Sequence, residues 1–143
     1  MVLILDGSAS MWGELEDEKK IVIAKKRMME LVSELEDVNM GLIVYGHRRK
    51  ADCDDIETMV PLQKGANTAI IQKIDSISLK GKKPITRSIE LAAQQLETIE
   101  DEAGIILVSD GVETCKGDPC IFVKSLREKG IKFKLDVVGF DVN

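Results

Sequence analysis

Two short apolar runs, Val2-Leu3-Ile4-Leu5 and Gly104-Ile105-Ile106-Leu107-Val108, constrain this chain more than any other feature. Each ends against acid: Asp6 directly after the first, and Asp110 one serine beyond the second. Aliphatic runs of this length, without polar alternation, are what strands look like when both faces of their sheet are covered. Met40–Tyr45 (Met-Gly-Leu-Ile-Val-Tyr) is another, and Phe133–Val138 reads as the last strand. Thr58–Leu62 is a further strand candidate. Its Pro61 suits an edge, where a missing N–H breaks no ladder bond.

Longer segments with helical periodicity separate these runs. From about Glu14 to Glu36, the residues Ile21, Ala24, Met28, Leu31, Val32 and Leu35 recur at helical spacing with charges between them. Ala66–Ile77 reads as a helix with Asn67 near its start. Pro84 opens another, with Ile85, Ile89, Ala92, Ala93 and Leu96 along one side, since proline is tolerated in a first turn. Pro119–Lys129 reads as a helix that stops at Gly130. Strands alternating with helices predict an α/β fold. The expected form is a three-layer, Rossmann-like sandwich with a mostly parallel central sheet, one antiparallel edge strand and helices on both faces. With 143 residues and no linker or repeat, the expectation is a single domain over residues 1–143. Ligands of such sheets bind beyond the carboxyl ends of the strands, so Asp6 and Asp110 mark the expected site.

Composition narrows the function classes. Aromatic residues are only 3%, so the core must be aliphatic and the case for base stacking on single-stranded nucleic acid is weakened. A net charge of −5 repels phosphate backbones and anionic membranes, which argues against a nucleic-acid partner. No apolar run approaches the roughly 20 residues that span a bilayer, so no membrane insertion by this chain is expected. Of the three cysteines, Cys115 and Cys120 bracket the turn-forming Lys-Gly-Asp-Pro. That spacing allows a small-loop disulfide, which would favour a periplasmic or extracellular setting, or two reduced thiols beside a loop. Three Cys and one His do not show the spacing of a zinc site.

Asp6, Ser8 and Ser10 lie two residues apart in the loop after the first strand, and Asp110 ends another within Val108-Ser109-Asp110-Gly111. All offer hard oxygen, which suits Mg²⁺, Mn²⁺ or Ca²⁺ and does not select zinc. Two carboxylates only neutralise a divalent ion, and hydroxyls add no charge. A metal held this way stays electrophilic enough to accept a carboxylate from a protein partner. Singly, each residue is ordinary turn chemistry after a strand. The combination Asp-x-Ser-x-Ser with a later Ser-Asp-Gly is far more specific.

The segment Leu5-Asp6-Gly7-Ser8-Ala9-Ser10-Met11-Trp12-Gly13 resembles the metal-ion-dependent adhesion site of the von Willebrand factor A (integrin I-type) family. Tyr45-Gly46-His47-Arg48-Arg49 and Val108 to Cys115 resemble segments of its bacterial and archaeal branch. The resemblance covers nearly the whole chain. It implies a protein-binding module and not an enzyme. Ser8 and Ser10 would ligate a metal directly, and Asp6 and Asp110 directly or through water. The family usually adds a strand and helix after the last strand here. The resemblance therefore implies either a minimal domain or a missing edge, which could recruit a partner strand or a second copy.

One position departs from the pattern. The family's threonine ligand falls within Gly-Lys-Thr-Pro, and this chain reads Gly81-Lys82-Lys83-Pro84. Thr86, three residues on, is the substitute ligand if the loop shifts. A unit charge about 4 Å from a divalent ion costs about 8 kcal/mol at an effective dielectric constant of ~20, which is more than about five decades in affinity. If Lys83 swings into solvent, a weak, conditional Mg²⁺ site remains. If it points inward, it replaces the cation with its own ammonium and leaves a metal-independent assembly domain. A third reading is a metal-dependent phosphotransferase, since Asp at the end of the first strand is also that chemistry's placement. Such enzymes want a second carboxylate two residues on, where this chain has Ser8. The basic His47-Arg48-Arg49-Lys50 run reads as a loop balanced by Asp52, Asp54 and Asp55, or as a rim for an acidic partner. Trp12 reads as a packing lid on the first helix.

Overall fold

The computed structural model describes residues 1–15, 17–35, 38–49, 52–97, 104–111, 114–115, 117–128 and 134–139. In chain order it has β1 (Val2–Asp6), a 3-10 turn (Ala9–Trp12), β2 (Glu14–Leu15), β3 (Glu18–Lys19), α1 (Lys20–Glu34), β4 (Met40–Tyr45) and β5 (Ile56–Gln63). These are followed by α2 (Asn67–Asp75), α3 (Ile85–Leu96), β6 (Gly104–Ser109), α4 (Pro119–Glu128) and β7 (Lys134–Gly139). Five strands form one sheet in the order β5-β4-β1-β6-β7. Every pairing is parallel except β4 with β5. The expected α/β sandwich, with one antiparallel edge strand, is the fold observed. Pro61 lies exposed on that edge strand.

β1 lies at the centre of the sheet and, like β4 beside it, is apolar on both faces. Val2, Leu3, Ile4 and Leu5 are each fully buried. Alternation sends Leu3 and Leu5 to one side, where Leu42 and Val44 join Ala24, Met28 and Val32 of α1 and Ile70 and Ile74 of α2. Val2 and Ile4 go to the other, with Ile43, Tyr45, Ile105 and Leu107 against Ile85, Ile89, Ala92 and Leu96 of α3. Each fully buried aliphatic side chain is worth about 1.5–3 kcal/mol, so β1 is the sheet's thermodynamic keel. Register then fixes the site: Asp6 pairs with Tyr45, and Leu5 with Val108, so the loops after β1, β4 and β6 emerge side by side.

Several expectations need correction. Helical structure expected from Glu14 starts at Lys20, and residues before it form the small β2–β3 hairpin. Asp17 sits there at φ +67°, a left-handed conformation that Asp tolerates better than most residues. Trp12 is no packing lid: it is 52% exposed, with Lys19 Nζ 4.7 Å from its ring centroid, while Met11 fills the interior. The Cys115–Cys120 pairing is replaced by a Cys53–Cys115 disulfide, with Cα atoms 5.7 Å apart. Cys120 is free and exposed. Asp118 Oδ1 accepts the backbone N–H groups of Cys120 and Ile121, which places Cys120 in the first turn of α4. Proximity along the chain suggested the wrong partner, and the right one arrives across the fold. Phe133, Lys129, Gly130, Glu36 and Lys50 lie outside the described residues.

Candidate functional site

Three loops meet backbone to backbone beyond the sheet. Gly7 N–H donates to Tyr45 O (2.8 Å), Gly81 N–H to Gly46 O (2.6 Å), and Ala9 N–H to Gly81 O (3.2 Å). A Cβ on Gly46 would lie 2.4 Å from Lys82 O, and its φ is +71°; a Cβ on Gly81 would lie 2.2 Å from Arg49 O. Only glycine permits this approach at both positions. The seam carries Ser8 on one side and delivers Lys83 on the other.

The first-strand motif then folds as its chemistry requires. Asp6 is fully buried. Its Oδ1 accepts the Ser8 N–H (2.8 Å), and its Oδ2 accepts the Ser109 hydroxyl (2.7 Å). Ser109 Oγ in turn accepts the Tyr45 hydroxyl (3.0 Å). Burial raises the Asp6 carboxyl above its usual range, against the Ser8 and Ser109 hydrogen bonds that favour its charge. Burial also pushes the Tyr45 phenol well up, so it serves as a donor. Ser8 Oγ and Ser10 Oγ are 3.1 Å apart, and the Ser10 hydroxyl donates to Asp110 Oδ1 (2.8 Å). Asp6, Ser8, Ser10 and Asp110, separated by up to 104 positions in sequence, thus form one connected polar network.

Two ammonium groups complete it. Lys83 Nζ lies 3.1 Å from Asp110 Oδ1, and Lys20 Nζ lies 3.2 Å from Asp110 Oδ2. The Asp110 side chain is 2% exposed, and those of Lys83 and Lys20 are 11% and 12%. Burial pushes the Asp110 carboxyl up, but the Ser10 hydroxyl and the two lysines outweigh it, leaving the group below its usual range. From its loop it is Lys83 that reaches Asp110; Thr86 stands half-buried in the first turn of α3. The oxygens of Asp6, Ser8, Ser10 and Asp110 would suit a hard divalent ion. The arrangement around them does not, because two ammonium groups already occupy Asp110. A divalent ion there would add its charge beside two ammonium groups whose side chains are only 11% and 12% exposed.

The sequence signals missed four participants. Tyr45 and Ser109 had a signal available, since strand register puts Tyr45 beside Asp6 and Ser109 directly precedes Asp110. Lys20 carried no signal of its own among the charges between Glu14 and Glu36. Thr114 holds Lys83: its Oγ1 accepts the Lys83 N–H at 2.8 Å. The His47–Lys50 stretch behaves as a balanced loop over its described part. Asp55 Oδ2 accepts the N–H groups of Arg48 and Arg49 (both 2.8 Å), and Oδ1 accepts Arg48 Nε (2.8 Å). His47 Nε2 pairs with Glu57 at 2.9 Å, and Arg49 with Asp52 at 3.0 Å. An apolar concavity of about 620 Å³ between α3, α4 and β7 is lined by Ile85, Leu107, Val123 and Leu135 among others, and by no residue of the Asp6–Asp110 network. Chemistry, not concavity, therefore places the candidate site. No described helix is long and apolar enough to cross a membrane.

Comparison with known proteins agrees with this architecture. The Bacillus subtilis protein YwmD is 26% identical over 151 aligned positions, spanning 99% of this chain and 67% of YwmD. An aerotolerance-related membrane protein from Bacteroides fragilis superimposes with a TM-score of 0.78 at 24% identity, over 96% of this chain and 65% of that one. Manganese-loaded TRAP protein from Plasmodium vivax superimposes with a TM-score of 0.71 at 17% identity, over 97% of this chain and 56% of that one. This chain thus spans about two thirds of the first two and just over half of the third. The sequence model of the von Willebrand factor type A domain matches residues 1–113, and the chain belongs to that family.

Proposed function

We propose that this domain is a non-catalytic protein-binding module whose loop face, at the carboxyl ends of β1, β4 and β6, receives an acidic group of a partner. The observation that carries the reading is the Asp6–Ser8–Ser10–Asp110 network with cationic charge drawn to its centre. A partner carboxylate approaching it meets two ammonium groups and the hydroxyls of Ser8 and Ser10. Von Willebrand factor A domains are generally interaction modules, which supports the same reading. The metal-assisted version requires Lys83 to leave Asp110, and the observed ion pair favours the metal-free version. Phosphotransfer is disfavoured because Ser8 takes the place of the second acid. The Cys53–Cys115 disulfide and the membrane-protein relative support placement in an oxidising, extracytoplasmic compartment.

Selection of random peptides on the immobilised domain, in the presence of chelator, tests the proposal. The expected outcome is enrichment of Asp- or Glu-bearing peptides that bind Ser10→Ala at least about tenfold more weakly, a loss of about 1.4 kcal/mol. Peptides without acid, or binding indifferent to Ser10→Ala, would overturn it.

A further inference from the structure

We infer that Lys83 is the built-in cation of this site: its ammonium takes the place that a divalent ion would otherwise hold, and the domain works without metal. The part of this inference that concerns a partner's carboxylate rests on the binding function proposed above; the part that concerns metal does not.

Four observations converge on Lys83. First, its ammonium reaches the buried Asp110 Oδ1 at 3.1 Å, the same oxygen that accepts the Ser10 hydroxyl at 2.8 Å. With Lys20 on Oδ2, both oxygens of Asp110 are already engaged by donors. A metal ligated by Asp110 would have to share an oxygen with an ammonium group or displace it. Second, the backbone of Lys83 is pinned from both sides. Its N–H donates to Thr114 Oγ1, and its carbonyl accepts the Thr114 N–H at 3.4 Å and the Ile85 N–H at 2.9 Å. Thr114 is itself adjacent to the disulfide-bonded Cys115. The residue is thus aimed inward by covalent and hydrogen-bonded neighbours on either flank. Third, space is kept for the ammonium. A Cβ on Gly111 would come within 3.2 Å of Lys83 Nζ, so a side chain there would crowd it. Fourth, two ammonium groups already face the one carboxylate of Asp110. A divalent ion about 4 Å from an ammonium loses roughly five decades of affinity at an effective dielectric constant of ~20.

A tethered ammonium changes what the site can recognise. It presents three N–H donors and a single charge, where a metal ion offers an open coordination position. A carboxylate would bind by charge-assisted hydrogen bonds from Lys83 and Lys20, without dependence on metal supply and with sensitivity to salt.

The experiment is a calorimetric titration of Mn²⁺ alone into the native chain and into Lys83→Thr. The native chain is expected to show no Mn²⁺ binding at millimolar concentration, and Lys83→Thr to bind at least about 100-fold more tightly, a gain of about 2.7 kcal/mol. Mn²⁺ binding by the native chain at an affinity equal to that of Lys83→Thr would overturn the inference. Nitrogen-15 NMR of the lysine ammonium groups covers the case in which Lys83→Thr does not fold. A Lys83 signal protected from solvent exchange and unmoved by Mn²⁺ supports the built-in cation, and a freely exchanging signal overturns it. Acetate, added in the same NMR experiment as a carboxylate probe, separates the two claims. If Mn²⁺ is refused but acetate leaves Lys83 and Lys20 unmoved, the tethered cation stands and the carboxylate-binding function falls.

Discussion

Asp55 and Asp110 lie at the same end of the sheet, both carry buried carboxylates, and both hold cations, yet they are built in opposite ways. Asp55 closes its own loop. Two of its three donors are the backbone N–H groups of Arg48 and Arg49, and the third is the Arg48 guanidinium, all within seven residues. Among the described residues, Asp110 takes side chains, from Ser10, Lys20 and Lys83, between 27 and 100 positions away. A carboxylate clamped by backbone is architecture, because its partners cannot leave without unfolding the loop. A carboxylate fed by side chains on long stems can exchange partners while the backbone stays still. The first arrangement suits a frame, the second a binding centre.

The disulfide joins the two regions, since Cys53 lies two residues before Asp55 and Cys115 five after Asp110. Breaking it should give the largest effect. Replacing both cysteines by serine is expected to cost about 4 kcal/mol by chain entropy for a loop of this length. The fall in Tm should be roughly 10 °C for a domain of this size. A scanning-calorimetry shift of only a degree or two would mean that the hydrogen bonds alone hold the loops together.

Asp55→Ala and Asp110→Ala sharpen the contrast directly. Removing Asp55 strands two fixed N–H donors, and the expected loss is about 3 kcal/mol by urea denaturation. Removing Asp110 should cost less, about 1–2 kcal/mol, because Lys20 and Lys83 can carry their charges out to water on flexible stems. An Asp110→Ala loss equal to or above that of Asp55→Ala would erase the distinction between frame and centre.

The smallest expected effect is on pH dependence. Asp55 lies below its ordinary value of 3.8: burial pushes it up, and the Arg48 guanidinium and the two backbone N–H groups pull it further down. Asp110 is lowered in the same sense. Stability from each is fully present above the ordinary value and is lost as pH falls through the lowered folded value. Asp6, raised by burial, acts in reverse: it opposes folding when ionised and is relieved by acid. The stability of the native chain should therefore fall more steeply below about pH 4 than that of Asp55→Asn. Parallel curves would place the acid sensitivity elsewhere.

Much of the frame was legible because burial writes it into composition. β1, β4 and β6 are apolar on both faces, and no other described element produces such runs. The four oxygen donors were legible because each follows one of those strands. The departure at Lys83 was visible as a residue, but its direction was not, since that depends on Thr114 arriving from beyond β6. The β2–β3 hairpin was hidden because Glu14, Glu18 and Lys19 fit a charged helix face equally well. The disulfide was hidden because its cysteines are 62 residues apart, and only the fold brings them together.

The glycine seam has a consequence for how such a domain can change over evolutionary time. Gly7, Gly46 and Gly81 join the three loops without a side chain at the junction. The side chains mounted beside the seam, at positions 8, 10 and 83, do not themselves form the backbone junction. On the inference that Lys83 is the site's cation, one codon at position 83 exchanges a soluble ion for an amino group encoded in the gene.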